Sequence, residues 1–493
     1  MKCRQITTFT SNGEPHKYEK DLAVTSEKDE IKHVESGVIN LYPEITYQTI
    51  EGFGGAMTET SAYLFGTLSD KDRKKALEDY FGEGGNHMKF IRTSIDSCDY
   101  SLGEYQAVGD PINDPDFTTF SLERDRKYII PMIKEAVEMS SEPISVLLSP
   151  WSPPYQWKTP PIKPQNDASV YGKLFDAKEL DYSLPQRNNG GSLKPEFYES
   201  WAKYLAKYVQ AYLDEGIPVT MMTMQNESIA ATDWNSCIWT SFDQKKFLKE
   251  NLYPEFKKAG LDKKVGIYIW DHNKERVLEW SMDMLDAKTS EMVEGIAFHW
   301  YSGDHFEAVQ MTHELFPDKK LMLSECCGLH QPGKSGFAEM FGLPAEKTPE
   351  EAEYEDGASY AHDIIGNLNA GMNRWIDWNF CVDMTGGPRH IPGGFTAGMT
   401  IDNALSRKNM IYYYVGHFSK YIMPGAVRIG FSRCDDNAEI TAARNPDGTA
   451  VLVALNKRNT DAFYTIRIAG NIIRFAAPAR TISTLVIEGL QEK

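Results

Sequence analysis

The chain has 493 residues, of which 41% are hydrophobic and 12% aromatic, enough for a sizeable core in one large domain or two to three smaller ones. A formal charge of −18 opposes the phosphates of nucleic acid and of anionic membranes, so neither is expected as a partner. No window is long and apolar enough to span a bilayer, which excludes insertion by a helix.

In chain order, Met1 to Thr10 lacks an apolar signal-peptide core, so a cytoplasmic location is expected unless a leader has been removed. Residues 1–45 look strand-like but are too few to fold alone. Eight strand-like runs follow: Gln48 to Gly55, His87 to Ile95, Ile144 to Ser149, Val219 to Met224, Lys264 to Trp270, Gly295 to Tyr301, Lys320 to Leu323 and Asn373 to Phe380. Helical patterns lie between most of them: Asp70 to Tyr80, Glu123 to Met139, Lys194 to Glu215, Ser241 to Ala259, Asn273 to Ala287 and Ala358 to Ala370. Strand–helix alternation repeated eight times predicts a (β/α)8 barrel over 46–424, with its active site at the C-terminal ends of the strands. From about Val427 the pattern changes to short alternating segments separated by turns such as Asn445-Pro-Asp-Gly448. This predicts a small all-β module over 425–493, which residues 1–45 are expected to join.

Two of the barrel strands end in a glutamate, Glu227 in Gln225-Asn-Glu227 and Glu325 in Leu323-Ser-Glu325. A carboxylate is costly in a core, so each belongs at a strand mouth facing a cleft. Hydrolysis of a glycosidic bond needs two such groups, one to donate a proton and one to attack. The chain therefore reads as a glycoside hydrolase acting on a carbohydrate. Asn226, beside Glu227, offers an amide to a sugar hydroxyl. Arg92 on the second strand and His299 and Tyr301 at the sixth lie near strand ends, where a cation or a phenol keeps a nucleophilic carboxylate ionised. Asp99, Trp151 and Trp378 follow or end other strands, an acceptor for hydroxyls and two flat faces for sugar rings.

Nothing points to a cofactor or a metal. Gly82-Glu-Gly-Gly-Asn86 precedes a strand instead of leading from one into a helix, so it fails as a dinucleotide loop. The seven cysteines (3, 98, 237, 326, 327, 381 and 434) are odd in number and include no CxxC pair, which fits reduced thiols, not a zinc site. Cys326 and Cys327 beside Glu325 are expected to pack.

Together these segments resemble glycoside hydrolase family 30, the glucosylceramidase family. The resemblance is carried by Gly52-Phe-Gly-Gly-Ala-Met-Thr-Glu59, Ile91-Arg-Thr-Ser-Ile-Asp-Ser-Cys-Asp-Tyr-Ser101, Ser149-Pro-Trp-Ser-Pro-Pro154, Gly191-Ser-Leu-Lys-Pro195, Gln225-Asn-Glu227, Phe298-His-Trp-Tyr301, Ser324-Glu-Cys326, Trp375-Ile-Asp-Trp-Asn379 and Tyr413 to Tyr421. It implies a barrel with a side β-sandwich built from both chain ends, and a retaining mechanism without metal or cofactor. It also implies Glu227 as acid/base and Glu325 as nucleophile, with Arg92, Asp99, Trp151, Asn226, His299, Tyr301 and Trp378 around the non-reducing sugar. A proton-donating Glu227 calls for a raised pKa before the first step. Departures from the family fall on Thr159–Asn189, Gly328–Asp356 and Gly393–Gly398, expected on the rim that receives the leaving group. A β-glucoside is the expected substrate. A β-1,6-glucan, a β-xyloside, or a non-catalytic carbohydrate-binding role on the same barrel are the alternatives.

Overall fold

The computed structural model describes residues 1–11, 14–27, 37–140, 142–159, 188–232, 234–328, 330, 332, 347–391, 394–433, 435 and 437–490. Eight parallel strands close into a barrel in sequential order. They are β1 (Gly52–Ala56), β2 (Phe90–Ile95), β3 (Ser145–Pro150), β4 (Val219–Thr223), β5 (Gly266–Asn273), β6 (Gly295–His299), β7 (Lys320–Glu325) and β8 (Arg374–Asn379). Strands buried on both faces read as largely apolar runs, which is why a run of the sequence marks each of the eight. Their inner faces meet in one cluster, Phe90, Leu147, Met221, Tyr268, Ala297, Met322 and Ile376, one residue from each of seven strands. The eighth, β1, approaches as bare backbone. A Cβ on Gly54 would stand 2.1 Å from the Phe90 carbonyl oxygen, so only glycine lets β1 and β2 come this close.

Arg374 seals the N-terminal end of the barrel, with Nε 2.6 Å from Glu51 Oε2 and Nη2 2.9 Å from Glu294 Oε1. Chemistry is thereby left to the opposite end. Outside the strands, the helix Tyr198–Asp214 buries Tyr198, Trp201, Leu205, Tyr208, Val209 and Tyr212, the three-and-four spacing of its sequence. Each large side chain so buried stabilises the fold by about 1.5–3 kcal/mol.

Several boundaries differ from expectation for local reasons. The predicted first strand is two strands: residues to Ile50 belong to Val38–Ile50 of the sandwich, and only Glu51 separates it from β1. Glu123 to Met139 breaks at Tyr128 into Glu123–Lys127 and Ile129–Met139. The helix predicted from Ala358 starts at Pro349, because Thr348 and Glu351 form a capping box ahead of an acidic stretch. Helices at Glu59–Thr67, Phe306–Leu315 and Met410–Ser419 were not anticipated.

Both chain ends enter one ten-stranded sheet. Lys2–Ser11 pairs antiparallel with Thr481–Glu488, from Lys2 opposite Glu488 to Thr8 opposite Ile482. Ile39, Leu41, Ile429, Ile440, Leu452, Ile466, Ile473 and Leu485 fill its core. His417, on the helix Met410–Ser419, ties this sheet to the barrel through 2.8 Å contacts with Thr8 Oγ1 and Thr484 Oγ1. No helix among the described residues is long and apolar enough to cross a membrane.

Candidate active site

The C-terminal ends of the barrel strands are irregular, and the irregularity builds the site. The register of β5 against β6 slips between Ala297 and Phe298, which face Trp270 and His272, leaving Asp271 as an extra residue. Trp270 and Asp271 both take positive φ, 72° and 54°. The register of β6 against β7 slips likewise, from Phe298 opposite Leu323 to His299 opposite Glu325, with Ser324 extra. Such bulges re-aim side chains beside a cleft. Here they bring Ser324 Oγ within 2.5 Å of Asp271 Oδ1. Beyond β4, Glu227 itself has φ 50°, a conformation costly for a side chain other than glycine, held by hydrogen bonds from Glu227 N to the Asp271 carbonyl and from Ala230 N to the Glu227 carbonyl, each 2.8 Å.

Arg92, fully buried on β2, organises the floor. Its Nη1 donates to Glu325 Oε2 at 2.5 Å, its Nη2 to Asn226 Oδ1 at 2.7 Å and Asp271 Oδ2 at 3.0 Å, and its Nε to Ser149 Oγ at 3.1 Å. Burial works against the guanidinium charge, but Asp271 and Glu325 outweigh it and leave Arg92 firmly protonated. Tyr301 Oη donates to the other oxygen of Glu325 at 2.9 Å. Glu325 is therefore gripped on both oxygens. Because the Asn226 carbonyl is committed to Arg92, its NH2 is the group left for a ligand.

His299 lies between two carboxylates, Nε2 3.1 Å from Asp271 Oδ1 and Nδ1 3.4 Å from Glu227 Oε1. Burial would lower its pKa, but Glu325, Asp271 and Glu227 raise it to about 9. Asp271 is pulled well below the usual carboxylate range: Arg92 and His299 overcome its burial. Burial pushes Glu227 up, yet the His299 hydrogen bond and the charges of His272 and His299 leave it lowered. Glu325 is raised, by burial first and by the Glu227 charge, against the pull of His299 and Arg92. The raised pKa expected of Glu227 is thus not met. His299, one contact away, is the neighbour whose pKa is raised, to about 9.

The remaining predicted residues converge on the same place. Asp99 is buried and raised to about 7, by burial foremost and despite Arg389 Nη1 at 3.4 Å. Trp151 and Trp378 stack on each other, ring centroids 5.2 Å apart, and flank the Arg92 guanidinium at 4.8 and 5.4 Å. At 1% and 3% exposure they leave little open ring face, so much of their area serves to hold Arg92. Cys326 and Cys327 are buried. The sequence reading missed Asp271, His272 and Ser324. Trp270-Asp-His-Asn273 carries the same signal, polar residues ending an apolar run, that exposed Glu227 and Glu325. Of the expected rim loops, residues 160–187, 329, 331, 333–346 and 393 lie outside the described residues.

Sequence comparison matches the glycosyl hydrolase family 30 TIM-barrel domain to residues 50–422 and the family 30 beta sandwich domain to 425–485. The lysosomal acid glucosylceramidase of Mus musculus is 31% identical over 445 residues, 87% of this chain and 79% of that protein. The endo-1,6-beta-D-glucanase neg1 of Aspergillus fumigatus is 24% identical over 453 residues, 89% of this chain and 85% of that one. The solved structure of SrfJ from Salmonella typhimurium is similar over 100% of both chains, with a TM-score of 0.85 and 30% identity. The endo-beta1,6-glucanase BT3312 matches with a TM-score of 0.77 and 25% identity, covering 99% of this chain and 100% of that one.

Proposed function

This chain belongs to glycoside hydrolase family 30, and from that premise we propose that it is a retaining β-glucosidase with Glu325 as nucleophile and Glu227 as acid/base. The observation that carries the reading is the unequal setting of the two carboxyls. Glu325 is fixed by Arg92 at 2.5 Å and Tyr301 at 2.9 Å, a grip suited to an attacking carboxylate, whereas Glu227 adjoins the proton-bearing His299. The glucosylceramidase relative supports glucose as the sugar.

In the first step, a Glu325 oxygen bonds to the anomeric carbon as the glycosidic bond breaks, and the leaving oxygen takes a proton from Glu227. His299 supplies that proton across the 3.4 Å contact and regains it after the second step. In the second step, Glu227, now a carboxylate, removes a proton from water, which displaces Glu325 and restores the β-configuration. Arg92 and Tyr301 stabilise Glu325 as attacker and again as leaving group. The Asn226 NH2 is placed to donate to the sugar 2-hydroxyl, a contact that strengthens as charge develops on the ring.

The test is hydrolysis of p-nitrophenyl β-glucoside, β-xyloside, β-fucoside and β-galactoside by the wild type, Glu227→Gln and Glu325→Gln. The β-glucoside should be turned over by the wild type and lost in Glu325→Gln. No turnover of any of the four, with glucose or oligosaccharide released from a β-1,6-glucan, would replace this reading with the glucanase activity named for the Aspergillus and BT3312 relatives. No turnover of either kind would leave only a carbohydrate-binding role.

A further inference from the structure

One feature of the cleft has no part in the hydrolytic steps. His272, at the end of β5, is 9% exposed, and its Nδ1 has no hydrogen-bond partner among the described residues. A buried imidazole nitrogen without a partner is costly unless a ligand completes it. This one faces Glu227 Oε1 at 3.9 Å, the same oxygen that His299 Nδ1 approaches at 3.4 Å. One ligand atom from each of Glu227, His272 and His299 lies within 4.8 Å of the other two.

Two imidazole nitrogens and a carboxylate oxygen are the donor set of a borderline transition-metal ion, with bond lengths of about 2.0–2.2 Å for zinc. In a tetrahedral site such bonds put neighbouring donors roughly 3.3–3.5 Å apart. The His299–Glu227 pair already has that spacing at 3.4 Å, and His272, 3.9 Å from the same oxygen, must swing inward to reach it. His299 Nε2 meets Asp271 Oδ1 at 3.1 Å, and Asp271 is fixed in turn by Arg92 and Ser324, an arrangement that turns the Nδ1 lone pair toward the ion. The charge balance agrees. Binding at Nδ1 displaces the His299 proton, after which Glu227, Asp271 and Glu325 face one guanidinium, Arg92, and a dication cancels the excess. Asp99 is answered separately by Arg389.

We propose that Glu227, His272 and His299 form a binding site for a borderline divalent transition-metal ion such as Zn2+, and that its occupancy reversibly silences the enzyme. The silencing rests on the reading of Glu227 as acid/base: an ion on its carboxylate replaces the proton that the leaving oxygen needs. The ion is an occupant that blocks the cleft and not a participant in hydrolysis. Mg2+ and Ca2+, which prefer oxygen donors, do not bind here.

The experiment titrates metal-free protein with Co2+ and follows the visible d–d bands, and in parallel measures aryl-glycoside hydrolysis against Zn2+ with and without EDTA. The expected result is one Co2+ per chain with nitrogen-ligand bands, bleached by equimolar Zn2+, and inhibition that EDTA reverses. His272→Asn should weaken both apparent affinities at least about tenfold, and Mg2+ at the same concentration should do nothing. A wild-type titration with no saturable Co2+ spectrum, or equal Co2+ affinity in a folded His272→Asn, overturns the site. If His272→Asn does not fold, Co2+ displacement by Zn2+ in the wild type decides alone. If the metal-free enzyme hydrolyses no glycoside, the functional reading fails, while the Co2+ spectrum still decides the site.

Discussion

Arg92 and Glu325 form a buried ion pair with a 2.5 Å contact, their side chains 0% and 9% exposed. The same guanidinium reaches Asn226 and Asp271, so it sets the position of three polar groups at once. Arg92→Lys keeps the charge but cannot hold all three with one ammonium. It should fold and lose about 10²–10³-fold in kcat/KM, the scale of removing one preorganised donor. Arg92→Met leaves Asp271 and Glu325 without their cation and should cost about 3–5 kcal/mol of stability. Steady-state kinetics and thermal melts read both, and a Lys variant within threefold of wild type would contradict the role.

The Asn226 assignment can be tested by pairing a substrate change with a protein change. Asn226→Ala should lower kcat/KM on an aryl β-glucoside, and the wild type should lose a similar factor on the 2-deoxyglucoside. Combined, the two losses should not multiply, because both remove one hydrogen bond. Independent, multiplying losses would put the NH2 of Asn226 somewhere other than the 2-hydroxyl.

His299 sets an expected pH dependence. With its pKa raised to about 9 it is protonated below that pH and loses its proton above it, so kcat/KM should fall as pH rises through this region. In His299→Asn, Glu227 must hold the proton alone. The alkaline limb should then move down by about a unit or more, as a carboxyl titrates below an imidazolium. A limb unmoved by this substitution would show that the proton does not come from His299.

Acid should loosen the junction between barrel and sandwich. His417 is buried and its pKa lowered to about 3 by burial, with both ring nitrogens on threonine hydroxyls of the two terminal strands. The unfolded chain binds a proton at this residue below about pH 6.5 and the folded one only near 3, so stability falls as pH drops through that window. The slope from this one group approaches about 1.4 kcal/mol per pH unit. Chemical denaturation of wild type and His417→Gln at pH 7 and pH 5 should show the difference between the two proteins shrinking at the lower pH.

How much of this was legible beforehand follows from what leaves a mark on sequence. The barrel strands were visible because strands buried on both faces are largely apolar, though the first was merged with the sandwich strand before it, and Glu227 and Glu325 stood out as acids at the ends of such runs. Asp271 and His272 follow the same rule but were lost, because the strand was ended at Trp270. The bulge that carries it onward depends on two left-handed residues, a backbone property that composition does not report. The helix Met410–Ser419 was missed for another reason: nine of its residues are buried, so it has no polar face to generate a period. Trp151 and Trp378 were read as platforms for sugar, and their stacking on Arg92 emerges only when β2, the segment after β3, and β8 are brought together. The lowered pKa of Glu227 is likewise a product of His299 and His272 arriving from two other strands.

The most direct test of the account is to trap the enzyme with a 2-deoxy-2-fluoro-β-glucoside bearing a good leaving group, then digest it and locate the added mass. One fluoroglucosyl unit on the peptide carrying Glu325, absent in Glu325→Gln, together with a β-configured first product from an ordinary substrate, is the predicted result. An adduct on Glu227 would reverse the two roles. Turnover with an inverted first product would contradict the double displacement itself.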